Sequence, residues 1–174
     1  MQRKSFEDMQ CPIARSLERV GEWWSMLILR DAFYGMTRFD EFQQSLGIAP
    51  NMLSRRLGAL VDSGLLARRA YQDRPLRYEY LLTPAGEDFR PVLLALMAWG
   101  NHHFAPEGVS TRLTDVRTQR VVEPVLVDAD TGERLSRERY VIQAGPAANE
   151  RMRARIELSR QRRERRRDDT SFPN

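Results

Sequence analysis

The stretch GMTRFDEFQQSLGIAPNMLSRRLGALVDSG, residues 35–64, leaves the chain few folding options. Phe39, Phe42 and Leu46 share one helical face, Thr37 can cap the first turn, and Asp40 and Glu41 suit its positive end. Gly47 ends that helix. Only Ile48 and Ala49 remain before Pro50, a residue suited to a first helical turn, and Leu53, Leu57, Leu60 and Val61 then form a second apolar row that stops at Gly64. Two short helices joined by a tight glycine-containing turn make a helix-turn-helix.

After Gly64 the period changes from helix to strand. LLARRAY and RYEYLLT alternate, with Tyr78, Tyr80 and Leu82 on one face and Arg77, Glu79 and Leu81 on the other. QDRPL lies between them as a polar loop. A hairpin directly after the second helix predicts a winged helix, an α+β fold, with Arg74 at the wing tip and Arg68, Arg69 and Arg77 at its base.

The flanking segments read as helices. SMLILRDAF, with Trp23 and Trp24 before it, is apolar nearly all round and predicts a central buried helix over 22–34, both tryptophans in the core. A short helix should precede it from Pro12, with Cys11 as its N-cap or the neighbour of that cap. TPAGEDF restarts a helix at a Thr83 cap with Pro84 in the first turn, running to about Asn101 and bent at Pro91. Phe89, Val92, Leu93, Leu96 and Gly100 form one stripe of it, and Leu94, Met97 and Ala98 begin a second. The second stripe reads as a dimer surface; burial within its own chain is the alternative. His102 and His103 suit the negative end of that helix as capping or surface residues.

Beyond residue 106 the pattern changes again. RVVEPVLVD, the turn ADTG and RYVIQ predict a small β-hairpin extension over 107–146. The Arg-rich remainder, 147–174, has almost no apolar face and reads as disorder or as exposed helix through about Arg166. It carries 9 Arg against 5 acids, whereas the preceding residues balance at 19 against 19, so the whole net charge of +4 sits there. Such a tail is a solvated end or a nonspecific electrostatic grip on DNA.

Several classes are excluded on the same evidence. One cysteine forbids an intrachain disulfide framework, MQRKSFEDMQ lacks the apolar core of a signal peptide, and no apolar run approaches the roughly 20 residues of a membrane span. The expectation is a soluble cytoplasmic protein with no membrane association. No phosphate-binding glycine loop, metal-binding His-Glu pattern or nucleophile elbow occurs, so no catalytic residue, cofactor or metal is expected and the chain does not read as an enzyme.

Taken in order, Cys11-Pro12, Gly21, Trp24, LILRD, RFDEF, LSRRL, GLLARRAY and YEYLLTPAG resemble the HxlR-type winged-helix transcriptional regulators over residues 11 to about 100. The resemblance implies a homodimer that binds double-stranded DNA through the winged helix and dimerises through its terminal helices. Trp23 stands where the family often has a basic residue, Glu22 where it has glycine, and Ala49 where a Ser or Thr cap worth about 1 kcal/mol is common. The extension is similar to ribbon-like C-terminal units, some of which carry cysteines; none is present here and no zinc is expected. The resemblance also implies oxidant or electrophile sensing at Cys11, against the usual fate of a lone cysteine as a small buried residue. A helix N-terminus, with Arg15 one turn on, would favour its thiolate, and any disulfide must join two subunits or a small thiol.

The expected reading residues follow from the periodicity of 50–61. With its leucines inward, Asn51, Ser54 and Arg55 point outward from a helix opened by Pro50, with Arg56 on the flank. Arg55 can read guanine, Asn51 adenine, and Ser54 a base or a phosphate; a merely solvated polar face is the alternative. Arg38 is expected on phosphate, and Arg74 and Arg77 in or beside the minor groove. The function expected is sequence-specific regulation by a homodimer, repression by default with activation open and the effector unknown. The alternative is a winged-helix protein-interaction module.

Overall fold

The computed structural model describes residues 5, 6 and 8–170. They form two compact units, one of residues 19–125 and one that joins the N-terminal arm, up to residue 18, to residues 126–170. This division cuts through the 107–146 segment.

In the larger unit, α1 (Pro12–Val20) ends and is followed by α2 (Trp23–Phe33), α3 (Phe39–Leu46), α4 (Pro50–Asp62), β1 (Leu66–Asp73), β2 (Leu76–Leu82), α5 (Pro84–Glu87) and α6 (Arg90–His103). Ile28 and Leu29 of α2, Phe42 of α3, Leu53, Leu57 and Leu60 of α4, and Leu66 of β1 form the dry centre. Each such side chain contributes roughly 1.5–3 kcal/mol when fully buried. Trp24 packs against this centre, but Trp23 is 76% exposed, contrary to its expected core position. Helical phase explains the difference: Trp23 lies on the far side of α2 from Ile28.

The helix-turn-helix closes as expected, with a shift at its first cap. α3 begins after Arg38, not Thr37. The Glu41 carboxylate reaches back to accept from the backbone N–H of Thr37 at 2.8 Å and of Arg38 at 2.9 Å. The Thr37 carbonyl accepts from the Tyr80 N–H at 2.7 Å, and Arg38 bridges Glu79, so this segment edges the wing as a third strand position. Gly47 supplies the left-handed residue that ends α3, at φ 60°.

β1 and β2 pair antiparallel from Leu66↔Leu82 to Asp73↔Leu76, with an irregularity between Ala70 and Gln72. The expected five-residue loop is therefore shorter, only Arg74 and Pro75 lying outside the strands. After the wing, Thr83 Oγ1 accepts from the Gly86 N–H and donates to the Gly64 carbonyl at 2.6 Å, tying the TPAG segment to the end of α4.

The long helix expected after Thr83 is two helices. α5 stops at Glu87 and α6 starts at Arg90, with Pro91 in its first turn, where its missing N–H costs nothing, in place of a bend in mid-helix. The faces also differ from expectation. Phe89 and Leu93 pack on the core, Leu94, Met97 and Ala98 are half-buried, and Val92, Leu96 and Trp99 form the exposed apolar row.

Residues beyond α6 form two tight turns of one design. In the larger unit β3 (Leu113–Thr114) pairs with β4 (Val121–Val122) across a turn in which Asp115 Oδ1 accepts from the N–H of Arg117 and Thr118. In the smaller unit Val127 bridges Arg134 across a turn in which Asp128 Oδ1 accepts from Asp130 and Thr131. Each Asp-x-x-Thr turn places its fifth residue, Gln119 or Gly132, at positive φ. In both turns the aspartate closes the loop by hydrogen-bonding the backbone that follows it.

The tail is helical beyond Arg166. In the smaller unit α7 (Glu150–Thr170) is capped by Asn149, whose Oδ1 accepts from the Met152 N–H at 2.9 Å. The Asn149 N–H in turn bonds Gln10 Oε1 at 2.7 Å.

Candidate nucleic-acid interface

The burial of Leu53, Leu57 and Leu60 fixes which side of α4 is open. Pro50, Asn51, Ser54 and Arg55 are exposed along that side. No acid among the described residues pairs with Arg55. Arg56 does not share this face. Its guanidinium, 13% exposed, makes an ion pair of 2.8 Å with Glu22, the residue that precedes α2. The expectation of an outward flank for Arg56 is corrected by that partner, 34 residues away in sequence. The acid at position 22 was the available signal.

The missing cap at Ala49 is also resolved. Ala49 offers no side-chain hydrogen bond, and Pro50 has no N–H. Asn51 Oδ1 accepts the Met52 N–H at 2.7 Å, the donor that a capping Ser or Thr would take. This leaves the Asn51 N–H as an open donor at the positive end of α4, suited to an anion, and its side-chain NH2 as the group free to meet a base.

The wing supplies further cations in distinct states. The Arg69 guanidinium donates to Glu79 at 2.7 Å, and Arg68 lies 4.4 Å over the Tyr78 ring. Arg38 lies 4.7 Å over Tyr71, its charge still exposed. Arg74 and Arg77 are exposed and make no ion pair among the described residues. Between α4 and the wing an open groove of about 310 Å³ is lined by Ser54, Gly58, Val61, Asp62, Arg68 and Tyr80. Burial pushes the Tyr80 phenol above its ordinary value, with the Arg68 charge opposing, so it stays a neutral donor at physiological pH.

Cys11 is partly buried just before α1. Arg15, expected to assist it, instead donates from Nε to the Met9 carbonyl at 3.0 Å. Arg151 and Arg155 line a cavity of about 90 Å³ with Cys11. Among the described residues no group of three or more His, Cys, Asp or Glu could hold a metal ion, and no helix is long and apolar enough to cross a membrane. His102 and His103 pack ring to edge at the end of α6.

A helix-turn-helix with an open polar second helix, followed by an arginine-bearing hairpin, defines a winged-helix protein of the kind that reads DNA. Residues 19–108 match the HxlR-like helix-turn-helix family, and the chain belongs to it. It is 38% identical over 135 residues to an uncharacterized HTH-type transcriptional regulator of Mycobacterium tuberculosis, covering 77% of this chain and 85% of that one. Among solved structures it is similar to PA1374, a candidate transcription factor of Pseudomonas aeruginosa, with 58% identity and a TM-score of 0.62. The match covers 84% of this chain and all of that one. PA1607, another candidate transcription factor, has 38% identity and a TM-score of 0.73, over 82% of this chain and all of that one. The redox regulator HypR in its reduced form has 29% identity and a TM-score of 0.50, over 53% of this chain and 92% of that one.

Proposed function

We propose that the protein is a sequence-specific, homodimeric regulator that represses by occupying its operator against polymerase, acting through binding with no catalytic step. The observation that carries this reading is the open face of α4, with Asn51, Ser54 and Arg55 exposed while its leucines are sealed in the core. Arg55 reads guanine by a bidentate contact, and the Asn51 amide and Ser54 hydroxyl meet neighbouring bases or phosphates. The N-terminus of α4 at Pro50, together with Arg38, Arg74 and Arg77, positions the backbone. Arg56 acts by holding α4 against Glu22 and touches no base.

Dimerisation is supported by α6, none of whose residues is buried in the single chain. Val92, Leu96 and Trp99, with Phe104 edge-on to Trp99 at 4.8 Å, form an apolar row unusual for a monomer. Two copies joined this way place their α4 helices in successive major grooves, roughly 34–36 Å apart, on a pseudo-palindrome. We assign 1–106 to DNA binding and dimerisation, with 107–146 and 147–174 as appended segments.

The test is footprinting of the selected operator with the wild type and Arg55→Ala. The variant is expected to lose roughly 1–3 kcal/mol of discrimination at one base position per half-site. Unchanged affinity and preference would refute the assignment, and absence of any duplex binding by the wild type would point to a protein-interaction module instead.

Oxidant response at Cys11 is the second part of the reading, supported by its partial exposure and the guanidinium-lined cavity beside it. The HypR neighbour is itself described as a redox regulator. Diamide takes up two electrons and two protons as two thiols join, here Cys11 with its counterpart in a second subunit or with a small thiol. Operator binding should change on diamide treatment and be restored by reductant, while Cys11→Ser should be indifferent; identical behaviour of the two proteins would remove Cys11 from the mechanism.

A further inference from the structure

We propose that one face of α7 is an electrostatic arm that grips the phosphate backbone of duplex DNA without reading its sequence; this rests on the DNA-binding reading above. A DNA-binding chain draws its nonspecific affinity from cations that displace condensed counterions. Here α7 holds nine arginines and five acids, and the rest of the chain balances 19 basic residues against 19 acidic ones. The entire net charge of +4 therefore belongs to this one helix. Any long-range attraction beyond the local cations of α4 and the wing has to come from it.

The charges of α7 are sorted by face. Glu157 accepts two hydrogen bonds from Arg160, which also reaches Glu164 at 2.7 Å, so this side is internally neutralised. The bonds from Arg160 and Gln161 hold the Glu157 carboxyl down to about 2, keeping it ionised at any working pH. Arg153 is committed to backbone, donating to the Ala148 and Pro146 carbonyls. Arg151, Arg155 and Arg162 are different. They are exposed, pair with no acid among the described residues, and stand at i, i+4 and i+11, within about 40° of one another around the helix. At about 1.5 Å per residue the row is about 16 Å long, a straight line of guanidiniums matched to a charged groove edge that carries one phosphate per roughly 1.7 Å of duplex axis. Met152 and Ile156, the half-buried apolar positions, are turned away from this row, and although Arg151 and Arg155 also border the cavity beside Cys11, all three arginines remain exposed.

The measurement is fluorescence anisotropy of a 30-base-pair duplex of arbitrary sequence against the full-length protein between 50 and 300 mM NaCl. Three lost phosphate contacts should lower the slope of log K against log salt by about 2 to 3, so that between 300 and 50 mM Arg151→Gln/Arg155→Gln/Arg162→Gln falls behind wild type by roughly 40- to 200-fold. Operator binding should weaken by the same factor, leaving the preference for the operator over this duplex unchanged. Glu157→Gln/Glu164→Gln, which raises the charge of α7 by two, should steepen the slope and tighten binding. Circular dichroism of each variant checks that helix content is kept. A wild-type slope retained in both variants overturns the arm while leaving the winged-helix reading intact; a wild type that binds neither duplex overturns both.

Discussion

Replacing Glu22 by Gln isolates what the Arg56–Glu22 pair does. The substitution keeps the shape and one acceptor but removes the charge facing a guanidinium that is 13% exposed. An exposed pair is worth about 0.2–1 kcal/mol, whereas stripping a buried charge of its partner costs about 3–5 kcal/mol. With Glu22 29% exposed and Arg56 Nε already lacking a protein partner, this site falls between those limits, at about 2 kcal/mol. For a chain of this length that is a loss of roughly 4–8 °C in Tm, read by calorimetry or by circular dichroism at 222 nm. Arg56→Met, which replaces the buried guanidinium by an apolar stem of similar reach, should cost less than Glu22→Gln, because the charge that then lacks this partner, Glu22, is the more exposed of the two at 29% and can be solvated. Both variants should keep the operator preference of the wild type. If Glu22→Gln melted within a degree of wild type while Arg56→Met relaxed the preference as Arg55→Ala does, the guanidinium would be on DNA and the structural reasoning refuted.

Three further outcomes are expected. Gly86→Ala should be strongly destabilising, visible as loss of soluble protein or a large drop in Tm, because an added Cβ would collide with the Leu65 backbone carbonyl, which cannot move away as a side-chain end could; an unchanged Tm would contradict the packing of TPAG against the Gly64–Leu65 backbone that follows α4. Glu41 is held below its ordinary value of 4.5 by the backbone N–H of Arg38 and then that of Thr37, so its stabilisation is complete above that value and fades as pH falls through the lower folded value. The urea midpoints of wild type and Glu41→Gln should therefore differ at pH 7 and converge on acidification, and a gap that persists at pH 3 would exclude the carboxylate as its source. Leu96→Asp should convert the proposed dimer to a folded monomer in sedimentation velocity, since Leu96 is exposed in the single chain and its loss leaves the core untouched.

The winged helix was legible because its signals are local. Gly47 and Gly64 mark where helices must end, the leucines of α4 repeat at the helical period, and the switch to alternation after Gly64 announces the hairpin. The open face of α4 follows from the same period, since burying Leu53, Leu57 and Leu60 leaves Asn51, Ser54 and Arg55 outward wherever the helix packs. The helix of the tail was only half legible. Without an apolar face its existence depends on an Asn149 cap and Glu157–Arg160–Glu164 pairs, each worth only tenths of a kcal/mol to about 1 kcal/mol.

By itself, then, the sequence determined the elements of the winged helix, their order and the polar side of its second helix, all of which depend on residues within a few turns of one another. Tertiary structure decided what depends on a distant neighbour. Arg56 turned inward because Glu22 was there to meet it, and Thr37 gave its capping place to Arg38 because its backbone edges the wing. α2 and α6 are apolar around most of their circumference, so periodicity could not say which part faces the core; packing left Trp23, Val92, Leu96 and Trp99 outside. A one-dimensional pattern records which residues avoid water, and only the assembled core determines which of them it has room to shelter.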